Sequence, residues 1–435
     1  MIAAGAIAIS HLDNGPSSAV APVAVEDLSL GSMYNVVGQI GARSLWDQGF
    51  TGAGVNVAVI DTGVAPVEAL TAPGKLVAAV DLSSEQSDPA TAYLDSFGHG
   101  THLAGIIAGR EPGADPARAG EHPEWFMGVA PDAGIVSVKV AARDGEVSLA
   151  SLITGIDWVV AHADELDIRV VNLAFNGSSG ESYLADPIAA AVERAWNAGI
   201  VVVAAAGNSG AEAGGLGSPA TDPFVIAVGG LEATESGLAA SAWASSGDGV
   251  RNPDIAAPGA HIESLRAPGS YADLEHPEGY VDAERFLASG SSQSAAVTAG
   301  AVALLLDARP GLSPDEVKQL LTASAAPVSG DPAIVGAGGL DIAAAAMVDP
   351  VDAAQTWTPA DADQSAPTAS GVMTVHLDPS GSSWMGSSWM GSSWMGSSWM
   401  GSSWMGSSWM GSSWMGSSWM GSSWMGSSWM GSSWM

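Results

Sequence analysis

The chain has 435 residues, long enough to bury a large core as one α/β domain with appendages or as two domains. Its 46 Asp and Glu against 13 Lys and Arg give a formal charge of −33, which argues against nucleic acid and anionic membrane surfaces as partners, because polyanions are held by clustered Lys and Arg. It has no cysteine, which excludes disulfides, thiolate metal sites and a cysteine nucleophile.

Residues 1–37 read as a leader. Ile2–Ile9 is apolar like the core of an export signal, yet no Lys or Arg precedes it and no persuasive cleavage site follows. No later stretch approaches the ~20 uninterrupted apolar residues of a membrane span, so no transmembrane anchor is expected. Order is expected to begin near Gly38. Thr51-Gly52-Ala53-Gly54 is a turn, and Val55–Ile60 an apolar run suited to a strand buried on both faces. That strand delivers Asp61 to its end, where open α/β sheets place functional groups.

Gly98-His99-Gly100-Thr101-His102 opens a helix of small residues. The three-residue spacing of His99 and His102 would suit a metal, but no glutamate accompanies them and no third ligand is evident. Residues 110–127 lack periodicity and read as a surface loop. Strands at 135–140, 170–174, 200–205 and 225–228 then alternate with helices at 149–163 and 185–197, which implies a parallel sheet with helices on both faces.

Ser289-Gly290-Ser291-Ser292-Gln293-Ser294 precedes a run, Ala295–Leu306, that is apolar on every side and therefore belongs in a core. A serine at the N-terminus of such a helix sits beside unpaired N–H groups and the positive end of the dipole, a seat for a nucleophile whose attack creates an oxyanion, although a plain N-cap is the better explanation of such a serine when it stands alone. Ser313-Pro314-Asp315-Glu316 starts a further helix with an N-cap, a proline and first-turn acids. The compact part is expected to end near Met347. Residues 348–380 read as a Pro/Asp/Ala linker, and residues 381–435 are Gly-Ser-Ser-Trp-Met repeated eleven times, a period of five that suits neither helix nor strand. This tail reads either as a disordered tract or as a sticky segment binding cell wall, glycan or another copy of the chain.

Acyl transfer by serine needs a hydroxyl, an imidazole to take its proton and a carboxylate to fix the imidazole. Asp61, His99 and a serine at the buried helix supply all three, in the chain order Asp, His, Ser that subtilisin uses. Val59-Ile60-Asp61-Thr62-Gly63, His99-Gly100-Thr101-His102-Leu103-Ala104-Gly105 and Gly290-Ser291-Ser292-Gln293-Ser294-Ala295 resemble the three motifs of the subtilisin-type serine proteases (subtilases, peptidase family S8). The match covers about residues 38–347 and, among the competing serines, points to Ser292.

The resemblance implies a three-layer subtilisin-like α/β fold with a largely parallel twisted sheet, and a secreted serine endopeptidase acting on protein or peptide substrates as a monomer. It implies Asn208, in Ala204–Gly210, as the oxyanion-hole donor. Ala174, Phe175 and Asn176 would pair with the substrate backbone, and Ala205, Ala206, Gly207, Gly217 and Ser218 would line the pocket for the residue before the scissile bond. Small residues without a buried acid there imply an apolar or broad preference.

Departures from the family pattern are Ala296 for the usual proline, Gln293 for the usual methionine and Asn176 where glycine is common. The chemistry requires no cofactor. Structural calcium is common in the family, but its ligands do not align here and no metal residue is assigned. The family's folding-assisting prodomain finds no counterpart in residues 1–37, which implies a truncated start or another folding route. A reading of a different class keeps the fold as a catalytically silent scaffold at the cell surface, binding the wall through the Trp-rich tail.

Overall fold

The computed structural model describes residues 25–360, apart from 176, 178–181, 213, 235 and 352, together with the backbone of 374–376. The repeat tail, most of the leader and the greater part of residues 361–380 therefore lie outside the described residues.

In chain order the strands are β1 (Asn56–Asp61), β2 (Leu76–Asp81), β3 (Gly134–Lys139), β4 (Glu146–Ser148), β5 (Ile168–Leu173), β6 (Val201–Ala205), β7 (Ile226–Thr234), β8 (Gly237–Ala240), β9 (Ile255–Pro258), β10 (Ile262–Leu265), β11 (Arg285–Ala288) and β12 (Thr374–His376). The helices are α1 (Met33–Gln39), α2 (Arg43–Trp46), α3 (His99–Ala108), α4 (Leu149–His162), α5 (Pro187–Asn197), α6 (Tyr271–Glu275), α7 (Ser291–Ala308), α8 (Pro314–Ala323), α9 (Pro332–Val335) and α10 (Ile342–Met347).

The main sheet runs β2-β3-β1-β5-β6-β7, all parallel, and β7 continues to an antiparallel β8 and a parallel β9. Strands β1, β3, β5 and β6 are buried almost throughout, as apolar runs covered on both faces must be. Helices α3 and α7 pack together on one side of the sheet, with α7 lying across β5, β6 and β7, while α4 and α5 pack against each other over β1 and β6. This is the three-layer α/β arrangement implied by the sequence. Every residue of α7 from Ser291 to Leu306 is buried, so the run with no polar face is indeed a central helix.

Three local features depart from the sequence expectation. Helix α1 falls inside the segment read as leader. Ser32 caps it, Met33, Val36 and Val37 enter the core, and Gly31 O accepts from Glu263 N in β10, so Gly31–Val37 are part of the body. Helix α5 starts two residues later than its apolar pattern, because Asp186 caps Ile188 N–H and Pro187 takes the first position. Residues 110–127 wrap onto the core through Ala114, Ala119, Phe126 and Met127 instead of forming a purely surface loop. Helix α8 carries the anticipated cap, with Ser313 and Glu316 closing a reciprocal capping box.

Candidate active site

Strand β1 ends at Asp61, whose carboxylate is fully buried. His99, the first residue of α3, points Nδ1 at it, 2.8 Å from Oδ1 and 3.0 Å from Oδ2. Thr62 N–H donates to Oδ1 at 2.8 Å. An imidazole that donates through Nδ1 carries its lone pair on Nε2, so this pairing selects the tautomer in which Nε2 is the base.

The glycines around His99 are steric requirements. Gly98 precedes the helix at φ +107°, a region that side chains disfavour, and a Cβ on Gly100 would stand 2.1 Å from Gly63 O. The start of α3 is thus pressed against the turn that follows Asp61.

A second buried carboxylate holds that junction together. Asp95 accepts from Gly98 N–H at 2.6 Å, Thr101 N–H at 2.7 Å, Thr101 Oγ1 at 2.6 Å and Thr62 Oγ1 at 2.8 Å. The two hydroxyls in turn accept from Gly100 N–H and Ala65 N–H, both at 2.9 Å. Burial pushes the Asp95 carboxyl up from the usual range, and these four hydrogen bonds oppose it. His102, the other histidine of the motif, turns Nε2 to Phe286 O at 3.1 Å. Burial first, and the neighbouring His99 second, push it down to about 3. It is a neutral core histidine, and among the described residues no group of three or more His, Asp or Glu stands together as a metal cluster.

Ser292 lies in the first turn of α7, 5 % exposed, and its Oγ donates to Ala174 O at 3.2 Å. Ala174 directly follows β5, the neighbour of β1, and Ile60 and Leu173 are register partners. Ser292 therefore sits over the same strand ends as Asp61, one strand spacing of about 4.8 Å along the sheet.

Asn208 follows the end of β6 and is fixed by Ser291. Its Oδ1 accepts from Ser291 N–H at 2.8 Å and Ser291 Oγ at 2.9 Å. Ser291 Oγ also accepts from Gly207 N–H at 3.1 Å. With Oδ1 committed, the Nδ2 amide is the donor end of this side chain, held beside the start of α7.

The segments expected to bind substrate converge here. Gly177 and Ser218 form an antiparallel bridge, N to O at 3.0 and 2.7 Å, which joins the stretch beyond β5 to the one around Gly217 and Ser218. Ala205 ends β6, and Ala206 N–H bonds Val228 O at 3.0 Å. Phe175 is buried in the main core, and Asn176 lies outside the described residues. One expectation changes. These segments have an acid behind them: Asp186, 2 % exposed, accepts from Ser218 Oγ at 2.5 Å while it caps α5. Nothing in the local pattern marks Asp95, Thr62, Thr101, Ser291 or Asp186 as more than turn and cap residues. Only their convergence on one another does.

Residues 52–339 match the family described as Peptidase_S8, the subtilase family. The chain is 36 % identical over 286 residues to serine protease AprX of Bacillus subtilis, a match covering 63 % of this chain and 62 % of AprX, so it spans less than two thirds of that relative's length. It is 31 % identical over 310 residues to subtilisin DY of Bacillus licheniformis, covering 71 % of this chain and 96 % of that protein, and 32 % identical over 299 residues to a thermostable alkaline protease of Halalkalibacterium halodurans, covering 69 % of each. The matched span runs from the turn before β1 to the strand contacts beyond α9 and encloses Asp61, His99, Asn208 and Ser292; the chain belongs to the subtilase family.

Proposed function

We propose that this chain is a serine endopeptidase in which Ser292 is the nucleophile, His99 the general base and acid, and Asp61 the group that orients and supports the imidazole. The observation that carries the reading is the buried Asp61–His99 pair at 2.8 Å, which leaves Nε2 as the basic nitrogen beside the strand ends where Ser292 sits. Ser292 Oγ attacks the peptide carbonyl as its proton passes to His99 Nε2. Asp61 stays ionised and stabilises the imidazolium. The tetrahedral oxyanion is met by Asn208 Nδ2 and by the Ser292 N–H at the positive end of α7. Collapse expels the amine, which takes the proton from His99, and leaves an acyl-Ser292. Water, activated by His99, then hydrolyses the ester and restores the hydroxyl.

An extended peptide would lie along residues 174–177, with its side chain before the scissile bond against Ala205–Gly207 and Gly217–Ser218. All these groups come from one chain, which suits a monomeric enzyme. No helix among the described residues is long and apolar enough to cross a membrane. The intact pairing of Asp61 with His99 favours chemistry over a silent scaffold. Ser292→Ala should abolish casein hydrolysis and labelling by a serine-directed fluorophosphonate. Retention of either activity at the unsubstituted rate would remove Ser292 from the mechanism.

A further inference from the structure

The whole sequence contains three lysines, Lys75, Lys139 and Lys318; the other ten of its 13 cationic side chains are arginines. None of the three lies on the open surface. Lys75 is 6 % exposed, Lys139 0 %, and the Lys318 side chain 13 %. A chain with 46 acids, most of them outside the core, would give lysine many exposed partners, so its confinement to the interior asks for a physical reason.

Each ammonium is clasped by main-chain oxygens. Lys75 Nζ donates to Ala108 O at 2.9 Å, Ala133 O at 3.3 Å and Pro131 O, which ties the C-terminus of α3 to the turn before β3. Lys139 Nζ donates to Leu94 O at 2.6 Å, Thr91 O at 3.4 Å, Ser96 Oγ at 3.2 Å and Glu85 Oε2 at 2.7 Å, holding the loop that leads into Asp95 and His99. Lys318 Nζ donates to Pro223 O at 2.7 Å and Val225 O at 2.8 Å and pairs with Asp254 Oδ1 at 3.0 Å. Beside it Arg251 takes Asp222 O at 2.9 Å and both Asp254 oxygens. Carbonyls 222, 223 and 225 thus converge on two cations, immediately after the Gly217–Ala220 segment.

Converging carbonyls with one carboxylate form the donor set of a hard metal ion. Here those oxygens are already spent on nitrogen donors at 2.7–3.0 Å, wider than the 2.3–2.6 Å typical of calcium, so they do not fit a metal at this loop. Lysine suits the task because its head is a compact charge with three donors, whereas arginine's planar fork suits paired carboxylate oxygens, as at Asp254.

We propose that the three lysines are built-in structural cations that pin their loops in place of bound metal ions, Lys139 at the strand end beside Asp61 and Lys75 and Lys318 at the turns that enter β3 and β7, so that those loops keep their order without added divalent cation. Burial is resisted, as it must be for a charge: desolvation brings Lys75 and Lys318 each down to about 8. The assignment does not depend on which hydroxyl is the nucleophile.

Two measurements on the full chain test it, with Ser292→Ala used to stop self-digestion. In amine acylation at pH 8 followed by mass spectrometry, the three ε-amines should react at least about tenfold more slowly in the folded chain than in the same chain unfolded in urea, because reaction requires local opening. In hydrogen exchange, peptides covering residues 83–98, 108–134 and 218–228 should be equally protected in EDTA and in calcium. In Lys318→Ala, protection of 218–228 should fall and return with added K⁺, Na⁺ or Ca²⁺, which would enter the vacated oxygens. The proposal is overturned if EDTA opens these segments in the chain with its lysines intact, if the ε-amines label as fast in the folded chain as in the unfolded one, or if Lys318→Ala leaves residues 218–228 as protected as before in every salt. Should Lys318→Ala fail to fold, the first two readings still decide.

Discussion

The sharpest consequence of the site's geometry concerns Ser291, the residue before the nucleophile. It holds Asn208 Oδ1 twice, through its N–H at 2.8 Å and its hydroxyl at 2.9 Å, and the same hydroxyl accepts from Gly207 N–H at 3.1 Å. If Asn208 donates to the oxyanion, Asn208→Ala should cost about 2.7–4 kcal/mol in kcat, the magnitude measured for the corresponding asparagine of subtilisin, another member of the family. Ser291→Ala removes one of the two anchors and leaves the other. A neutral hydrogen bond contributes about 1 kcal/mol, so kcat should fall roughly fivefold with KM little changed. A buried Gly207 N–H without its acceptor adds about 1–3 kcal/mol of lost stability, visible as a lower melting temperature. Ser291→Thr keeps the hydroxyl and should keep kcat. The decisive assay is a double-mutant cycle on a peptide anilide, reading kcat and KM separately. Because Ser291 acts through Asn208, adding Ser291→Ala to Asn208→Ala should lower kcat no further. An undiminished fivefold loss in the double variant, or an Asn208→Ala enzyme within twofold of the parent, would refute the reasoning.

Other expectations follow from individual contacts. Gly100→Ala places a methyl 2.1 Å from Gly63 O and 3.3 Å from Asp61 Cβ, and should cost about 1–3 kcal/mol of stability together with a larger loss of kcat, read by thermal melting and anilide hydrolysis; an unshifted melting temperature would contradict the close approach. Asp61→Asn should leave the fold intact and lower kcat by roughly 10⁴, since the amide cannot support the imidazolium; a loss below tenfold would exclude the assigned role. Asp222 is pushed up to about 7 by burial, with Glu193 adding to it. Its folded form therefore binds a proton that the unfolded chain has released, so this group's contribution to stability is greatest at low pH, declines as pH rises from about 4 to 7, and is constant above. The total is roughly 4 kcal/mol at most, and Asp222→Asn should remove that slope in urea titrations of the inactivated enzyme; an unchanged slope would assign it to other groups.

Much of this was readable from the one-dimensional pattern. The apolar run of β1 fixes both its burial and the place where Asp61 emerges, because a strand buried on both faces must present its polar terminus at the end of the strand. The all-apolar α7 could only be central, and Ser313-Pro314-Asp315-Glu316 announced its own capping box. What the pattern hid were short polar residues whose local chemistry is that of any turn. Asp95 has the composition of a loop residue, and Ser291 that of a cap.

The sequence by itself determined the layer architecture, the motif residues and their order, since periodicity, caps and the three motifs are local properties of the chain. Only the tertiary structure decided which side chains meet. Asp95 lies 33 residues from Thr62, Ser291 lies 83 from Asn208, and Lys318 lies 95 from Pro223. Hydrogen bonds at such separations depend on how strands and helices pack to within an ångström, and periodicity along the chain carries no such distance. The lysines illustrate the division most plainly: their number is evident from the sequence, whereas their burial in cages of backbone oxygen exists only once the loops have closed around them.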